Sequence, residues 1–125
     1  MSVPKHLFYT NDHEWASNSG GEITVGITDF AQGELGDIIF VELPAVGQEF
    51  SQGDPFGTIE AVKTVADLYA PVSGKIIDVN QDLDDEPAKI NSDPYGAGWI
   101  IKIEASDISE IDELLSADDY KKLLD

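Results

Sequence analysis

Gly57-Thr58-Ile59-Glu60-Ala61-Val62-Lys63-Thr64-Val65-Ala66-Asp67-Leu68-Tyr69-Ala70-Pro71-Val72-Ser73-Gly74 places one lysine between two β-prone segments, Phe56 to Val62 and Thr64 to Tyr69, with no room for a long loop. A chain that reverses this tightly forms a hairpin, and a side chain at the reversal has its stem fixed at the base and its ammonium in water. Such a lysine serves as a solubilising charge or as an amine presented to other proteins. The turn alone does not choose between the two.

Short β-type segments recur on both sides of this hairpin, punctuated by glycine and proline. Leu7-Phe8-Tyr9 and His13-Glu14-Trp15-Ala16 precede a Ser17-Asn18-Ser19-Gly20-Gly21 turn. Glu22-Ile23-Thr24-Val25-Gly26-Ile27 alternates as a half-buried strand does. Thr28 and Asp29 cap a short helix, Asp29 to Leu35, which Gly36 ends. Asp37-Ile38-Ile39-Phe40-Val41-Glu42-Leu43 reads as a more buried strand closed by Pro44. Lys75 to Val79 and Trp99 to Glu104 supply two more. Many short strands with frequent turns predict a mostly β fold, a sandwich or a barrel.

The last twenty residues change character. Ser106 or Ser109 is positioned to cap a helix running to Leu115, and Ser116-Ala117-Asp118-Asp119 opens another. Ile108, Ile111, Leu114 and Leu115 form a stripe expected to cover one sheet. The expectation is a single domain, residues 1–125, with C-terminal helices over 106–124 packed on it.

The chain has 125 residues, 42% of them hydrophobic, which suffices for one core. Its formal charge is −18, and all seven basic side chains are lysines. That surface repels nucleic acid and anionic membranes, and it favours partners with basic patches whose association weakens as salt rises. With no cysteine, disulfides, thiolate metal sites and cysteine nucleophiles are excluded, and any sulfur chemistry must arrive on a cofactor. No run reaches the length of a membrane span, and Met1 to His6 lacks a signal-peptide or transit pattern. A cytoplasmic prokaryotic protein is expected, or a mature mitochondrial-matrix chain.

Candidate chemistry narrows quickly. His13 and Glu14 are adjacent, and neighbours on a strand point to opposite faces, so they are not expected to form an acid–base dyad. There is no Gly-x-Ser-x-Gly elbow, and only two histidines, His6 and His13, which argues against a hydrolytic triad. Asp82-Leu83-Asp84-Asp85-Glu86-Pro87 lacks the glycine of a calcium loop and reads as an acidic loop before a helical turn. Gly96-Ala97-Gly98-Trp99 leads into a strand, the reverse of the order a phosphate cradle needs. No catalytic residue and no metal site is expected.

Around Lys63 the chain resembles a known family. Glu60-Ala61-Val62-Lys63 followed by Asp67-Leu68-Tyr69-Ala70-Pro71-Val72-Ser73-Gly74 is similar to the lipoylation segment of glycine cleavage system H proteins. Tyr9-Thr10 with His13-Glu14-Trp15, Gly26 to Ala31, Leu35 to Pro44, Gly53 to Glu60 and Ile90 to Trp99 extend the match, in order, from about Tyr9 to Leu124. The resemblance implies a barrel-sandwich hybrid of the lipoyl/biotinyl type, with lipoic acid amide-linked to Lys63. Val62 and Thr64 flank the lysine where biotin carriers typically have methionines, and lipoyl domains of 2-oxoacid dehydrogenases usually show Asp-Lys-Ala. Two departures are small: Ala61 stands where serine is common, and Ala97 where glutamate is common.

What the resemblance implies is a carrier and not an enzyme. The arm would take an aminomethyl group from a pyridoxal-phosphate glycine decarboxylase and deliver it to a tetrahydrofolate-dependent aminomethyltransferase. An FAD dihydrolipoyl dehydrogenase would then reoxidise it, and a lipoyl ligase or transferase would install it. A monomer is expected. Glu14 and Asp67, acidic and within family-like segments, are candidates to line a cleft that shelters the loaded arm; the alternative is two solvated strand carboxylates. Two other functions stay open at this point: an H-like protein that relays lipoyl groups to other lipoyl domains, and an unmodified acidic binding domain.

Overall fold

Among residues 2–124, which the computed structural model describes, the chain forms nine strands in two antiparallel sheets. The larger sheet runs in the order β1 (Phe8–Tyr9), β2 (Glu14–Ser19), β3 (Glu22–Ile27), β9 (Ile101–Ala105), β8 (Gly74–Val79) and β5 (Glu49–Phe50). The smaller holds β4 (Ile38–Glu42), β6 (Pro55–Ala61) and β7 (Val65–Tyr69). At the β2–β3 reversal Gly20 and Gly21 take φ of 63° and 92°, the left-handed backbone a two-residue hairpin needs.

Alternation sets the core. Ile23 and Val25 from β3, Ile59 from β6, and Ile101 from β9 are fully buried between the sheets with Val72 and Ile100. A second apolar cluster, Leu7, Tyr9, Trp15, Ala117 and Tyr120, packs α4 (Ala117–Leu124) onto β1 and β2. Burying a side chain as large as Tyr120 stabilises by roughly 2 kcal/mol. Trp15 lies across from Gly26, where a Cβ would stand 2.6 Å from the indole nitrogen, and that nitrogen donates to the Pro94 carbonyl at 3.0 Å. Glycine at 26 is therefore what lets the indole lie flat on β3.

Helix α1 spans Asp29–Leu35 as its capping residues predict. The Thr28 hydroxyl accepts the Ala31 N–H at 3.2 Å, and Gly36 ends the helix with φ of 79°. Two further single turns, α2 (Asp82–Asp85) and α3 (Lys89–Ser92), bracket Pro87. The acidic run thus begins a helical turn instead of remaining a loop, and Lys89 reaches back to Asp82 at 3.4 Å.

Two further expectations change, and one element is new. The helix expected from Ser106 or Ser109 to Leu115 is a 3-10 turn, Ile108–Glu113, capped by Asp107, whose carboxylate accepts the Ser109 N–H at 3.1 Å. It stops because Leu115 pairs with Tyr9 through two backbone bonds of 2.7 and 2.9 Å, which draws the chain into the sheet edge. Of the expected stripe only Ile111 is buried, and Ile108 is 46% exposed. The second change is β4, where Ile39 and Phe40 are half exposed. Among the described residues this strand pairs only with β6, and a register shift between Ile38 and Phe40 turns both side chains outward. The new element is β5, too short to leave a periodic signal.

Candidate functional site

Lys63 stands at the β6–β7 reversal. The last strand pair is Glu60 with Val65, after which the Ala61 N–H donates to Thr64 O at 2.8 Å and the Val62 N–H to Asp37 O at 3.0 Å. Val62 and Lys63 are both exposed, and among the described residues no carboxylate lies within salt-bridge distance of the lysine. Its stem crosses Gly36, where a Cβ would lie 3.4 Å from Cε and 3.8 Å from Nζ. Gly36 has φ of 79° and ψ of −155°, a region essentially reserved for glycine. Asn91 fixes this corner, donating to the Gly36 carbonyl at 2.8 Å and accepting the Ile38 N–H at 3.0 Å.

Beyond Gly36, α1 forms one wall of a cleft of about 340 Å³. Its apolar lining comes from Ile27, Phe30, Ala31, Leu35, Ile59 and Leu68, and its polar lining from Asp12, His13, Glu14, Glu34 and Asp67. The structure therefore puts Glu14 and Asp67 on the same cleft, from β2 and β7. Asp67 is exposed, as a solvated strand carboxylate would be, whereas Glu14 is only 1% exposed. Glu14 accepts the Thr10 hydroxyl at 2.5 Å and the Tyr69 N–H at 3.2 Å. Burial outweighs both bonds and pushes its carboxyl up to about 7.

The His13–Glu14 expectation needs correcting. His13 precedes β2 and has φ of 69°, so strand alternation does not apply to it, and both side chains line the cleft. The Asn11-Asp12 pair before it, with the Asp12 N–H bonded to the Thr10 hydroxyl at 3.2 Å, is the turn signal that could have shown this. Burial holds the His13 imidazole below the usual histidine range, against the opposing pull of Asp12 and Glu34. Trp15 is a core aromatic, and Tyr69 is half-buried.

Residues 7–125 match the family model described as glycine cleavage H-protein. The chain belongs to that family. It is 56% identical over 125 residues to the glycine cleavage system H protein of Listeria monocytogenes serovar 1/2a, with all of both chains covered. To the Staphylococcus haemolyticus protein of the same name it is 53% identical over 124 residues, covering 99% of this chain and 98% of the other. The crystal structure of a glycine cleavage system H protein from Mycobacterium marinum superposes with a TM-score of 0.88 at 43% identity, covering 96% and 97% of the two chains. The fold is the mostly β, lipoyl-type barrel-sandwich with a short C-terminal helix. In this H-protein chain, Gly36, Asn91 and Tyr120 shape the lysine corner and the cleft; sequence showed Gly36 only as the end of α1 and gave no sign of the other two. Each acts through tertiary contacts, and only the glycine after α1 leaves a local trace.

Proposed function

We propose that Lys63 carries lipoic acid in amide linkage and that this chain is the lipoyl carrier of glycine cleavage. The observation that supports this most directly is an exposed lysine at a turn held by main-chain hydrogen bonds, its stem seated on Gly36 beside a cleft with apolar walls and four acidic side chains, Glu14 and Asp67 among them. These residues fit such a group. The apolar lining from α1, β3, β6 and β7 suits an aliphatic arm, and Glu14 with Asp67 suits an amine at its end. When bound, the lipoyl group supplies the sulfur chemistry that the chain lacks, since the sequence contains no cysteine.

The protein's own contribution is position and shelter. The turn holds the acceptor amine clear of the sheets, where a lipoyl ligase or transferase can reach it. The cleft removes a reactive amine from water between visits to partners. The expected partners are a pyridoxal-phosphate glycine decarboxylase, a tetrahydrofolate-dependent aminomethyltransferase and an FAD dihydrolipoyl dehydrogenase. With a formal charge of −18, docking should favour basic surfaces on them and weaken with salt. No side chain of this chain is assigned a bond-breaking role.

Intact mass and peptide mapping of natively expressed protein test the assignment. One lipoyl adduct on Lys63 is expected, and its absence beside a working ligase removes the carrier reading. The cleft has its own test. Glu14→Ala combined with Asp67→Ala should shorten the lifetime of the amine-loaded arm several-fold, followed by ammonia release. An unchanged lifetime removes the sheltering role and leaves the attachment site untouched.

A further inference from the structure

Tyr120, fully buried in α4, places its hydroxyl 2.8 Å from His13 Nδ1 and 2.7 Å from Thr28 Oγ1. Thr28 is also fully buried, and its oxygen already accepts the Ala31 N–H at 3.2 Å. Proton counting sets the direction of this chain. If the imidazole carried its proton on Nδ1, that proton would go to the Tyr120 oxygen and the Tyr120 proton to Thr28. The Thr28 proton would then have no acceptor among the described residues, a costly state for a buried hydroxyl. If Thr28 donates to Tyr120 and Tyr120 to Nδ1, every proton is used, and the ring proton sits on Nε2.

We propose that Tyr120 is a positioning residue that holds His13 as a neutral imidazole protonated on Nε2, so that the cleft beside Glu14 and Asp67 contains no imidazolium. The ring has little freedom to escape this arrangement. The Thr28 N–H donates to the His13 carbonyl at 3.0 Å, and the ring leans on Phe30 with centroids 4.8 Å apart. The charged groups around it are Asp12 from its own loop, Glu34 from α1, Glu14 from β2 and Asp67 from β7, with the Tyr120 phenol from α4. Asp12 and Glu34 favour a proton on the ring, and Glu14 and Asp67 line the same cleft. A cationic His13 would then set a like charge in that cleft and oppose an incoming amine. The donor chain opposes this, because a proton on Nδ1 reverses both hydrogen bonds and strands the Thr28 hydroxyl. The C-terminal helix thereby sets the electrostatics of a cleft it does not line. The functional half of this inference rests on the cleft being the seat of the amine-bearing arm; the tautomer does not.

Long-range nitrogen–proton NMR on the unmodified full chain reads the tautomer directly. The expected result is an Nε2–H ring in the wild type, with its titration displaced below that of free histidine. In Tyr120→Phe the titration should move up, while the burial that remains keeps it below the ordinary value. An Nδ1–H ring in the wild type overturns the proposal whether or not the variant folds, and so does an unmoved titration in a folded variant. Decay of the amine-loaded arm gives the second readout, as a ratio of variant to wild type, which cancels any titration common to both. Tyr120→Phe should decay several-fold faster only below the pH at which its own His13 titrates. A ratio independent of pH overturns the electrostatic role. Running Glu14→Ala with Asp67→Ala alongside separates the two ideas: a wild-type lifetime there sinks the cleft reading, while the tautomer result stands.

Discussion

Lys63→Arg will carry no lipoyl group, even when co-expressed with an active ligase, and its stability will stay within about 0.5 kcal/mol of the wild type. The loss should be complete because a guanidinium remains protonated and offers no amine to acylate. No other lysine stands at a reversal between two paired strands: Lys5 precedes β1, and Lys121 and Lys122 lie in α4. Lys89 and Lys102 are engaged with Asp82 and Glu22, and Lys75 lies within β8. The fold should tolerate the change because the turn is held by main-chain bonds, Ala61 to Thr64 and Val62 to Asp37, which do not depend on the side chain. Arginine also keeps an aliphatic stem to lie on Gly36. Intact mass reads the first outcome and a urea melt the second. A lipoylated Lys63→Arg protein would reassign the attachment site, and an unfolded one would mean that the turn depends on the lysine itself.

Much of this was legible in the chain because the signals were local. Thr28 and Gly36 bound α1 by capping chemistry, and the alternation of Ile23, Val25 and Ile27 placed β3. Lys63 was legible as an exposed turn residue for the same reason. What sequence missed was set by tertiary competition. Ser109 has the chemistry of a helix cap, but the pairing of Leu115 with Tyr9 ended the helix early and Asp107 took the cap. Ile39 and Phe40 look like core residues, but an edge strand with a shifted register faces them outward. Glu14 and Asp67 were grouped by sign and by family likeness, which cannot report burial; only the fold separates the buried carboxylate from the exposed one. Tyr120 gave no signal because its partners, His13 and Thr28, lie about a hundred residues away in sequence.

That burial makes Glu14 a source of pH-dependent stability, and comparison with Glu14→Gln will expose it. Glu14 binds its proton more tightly in the folded protein, at about 7, than in the unfolded chain, at 4.5. Its contribution is therefore fully present below the unfolded value and is lost as pH rises through about 7. Relative to the glutamine variant, the wild type should lose on the order of 3 kcal/mol between about pH 4.5 and pH 7, then no more. Glutamine keeps the shape and one acceptor oxygen but cannot ionise, so its own curve lacks this step. His13, whose burial acts in the opposite direction, is common to both proteins and cancels in the difference. Urea melts across this range make the measurement, and a difference that does not vary with pH would mean that water reaches Glu14. The same physics ties the cost to the proposed role. An ammonium seated beside an ionised Glu14 lowers that carboxyl's pKa again. The stability lost on ionisation is then recovered when an amine fills the cleft, so the loaded protein should show a flatter pH dependence than the unmodified one.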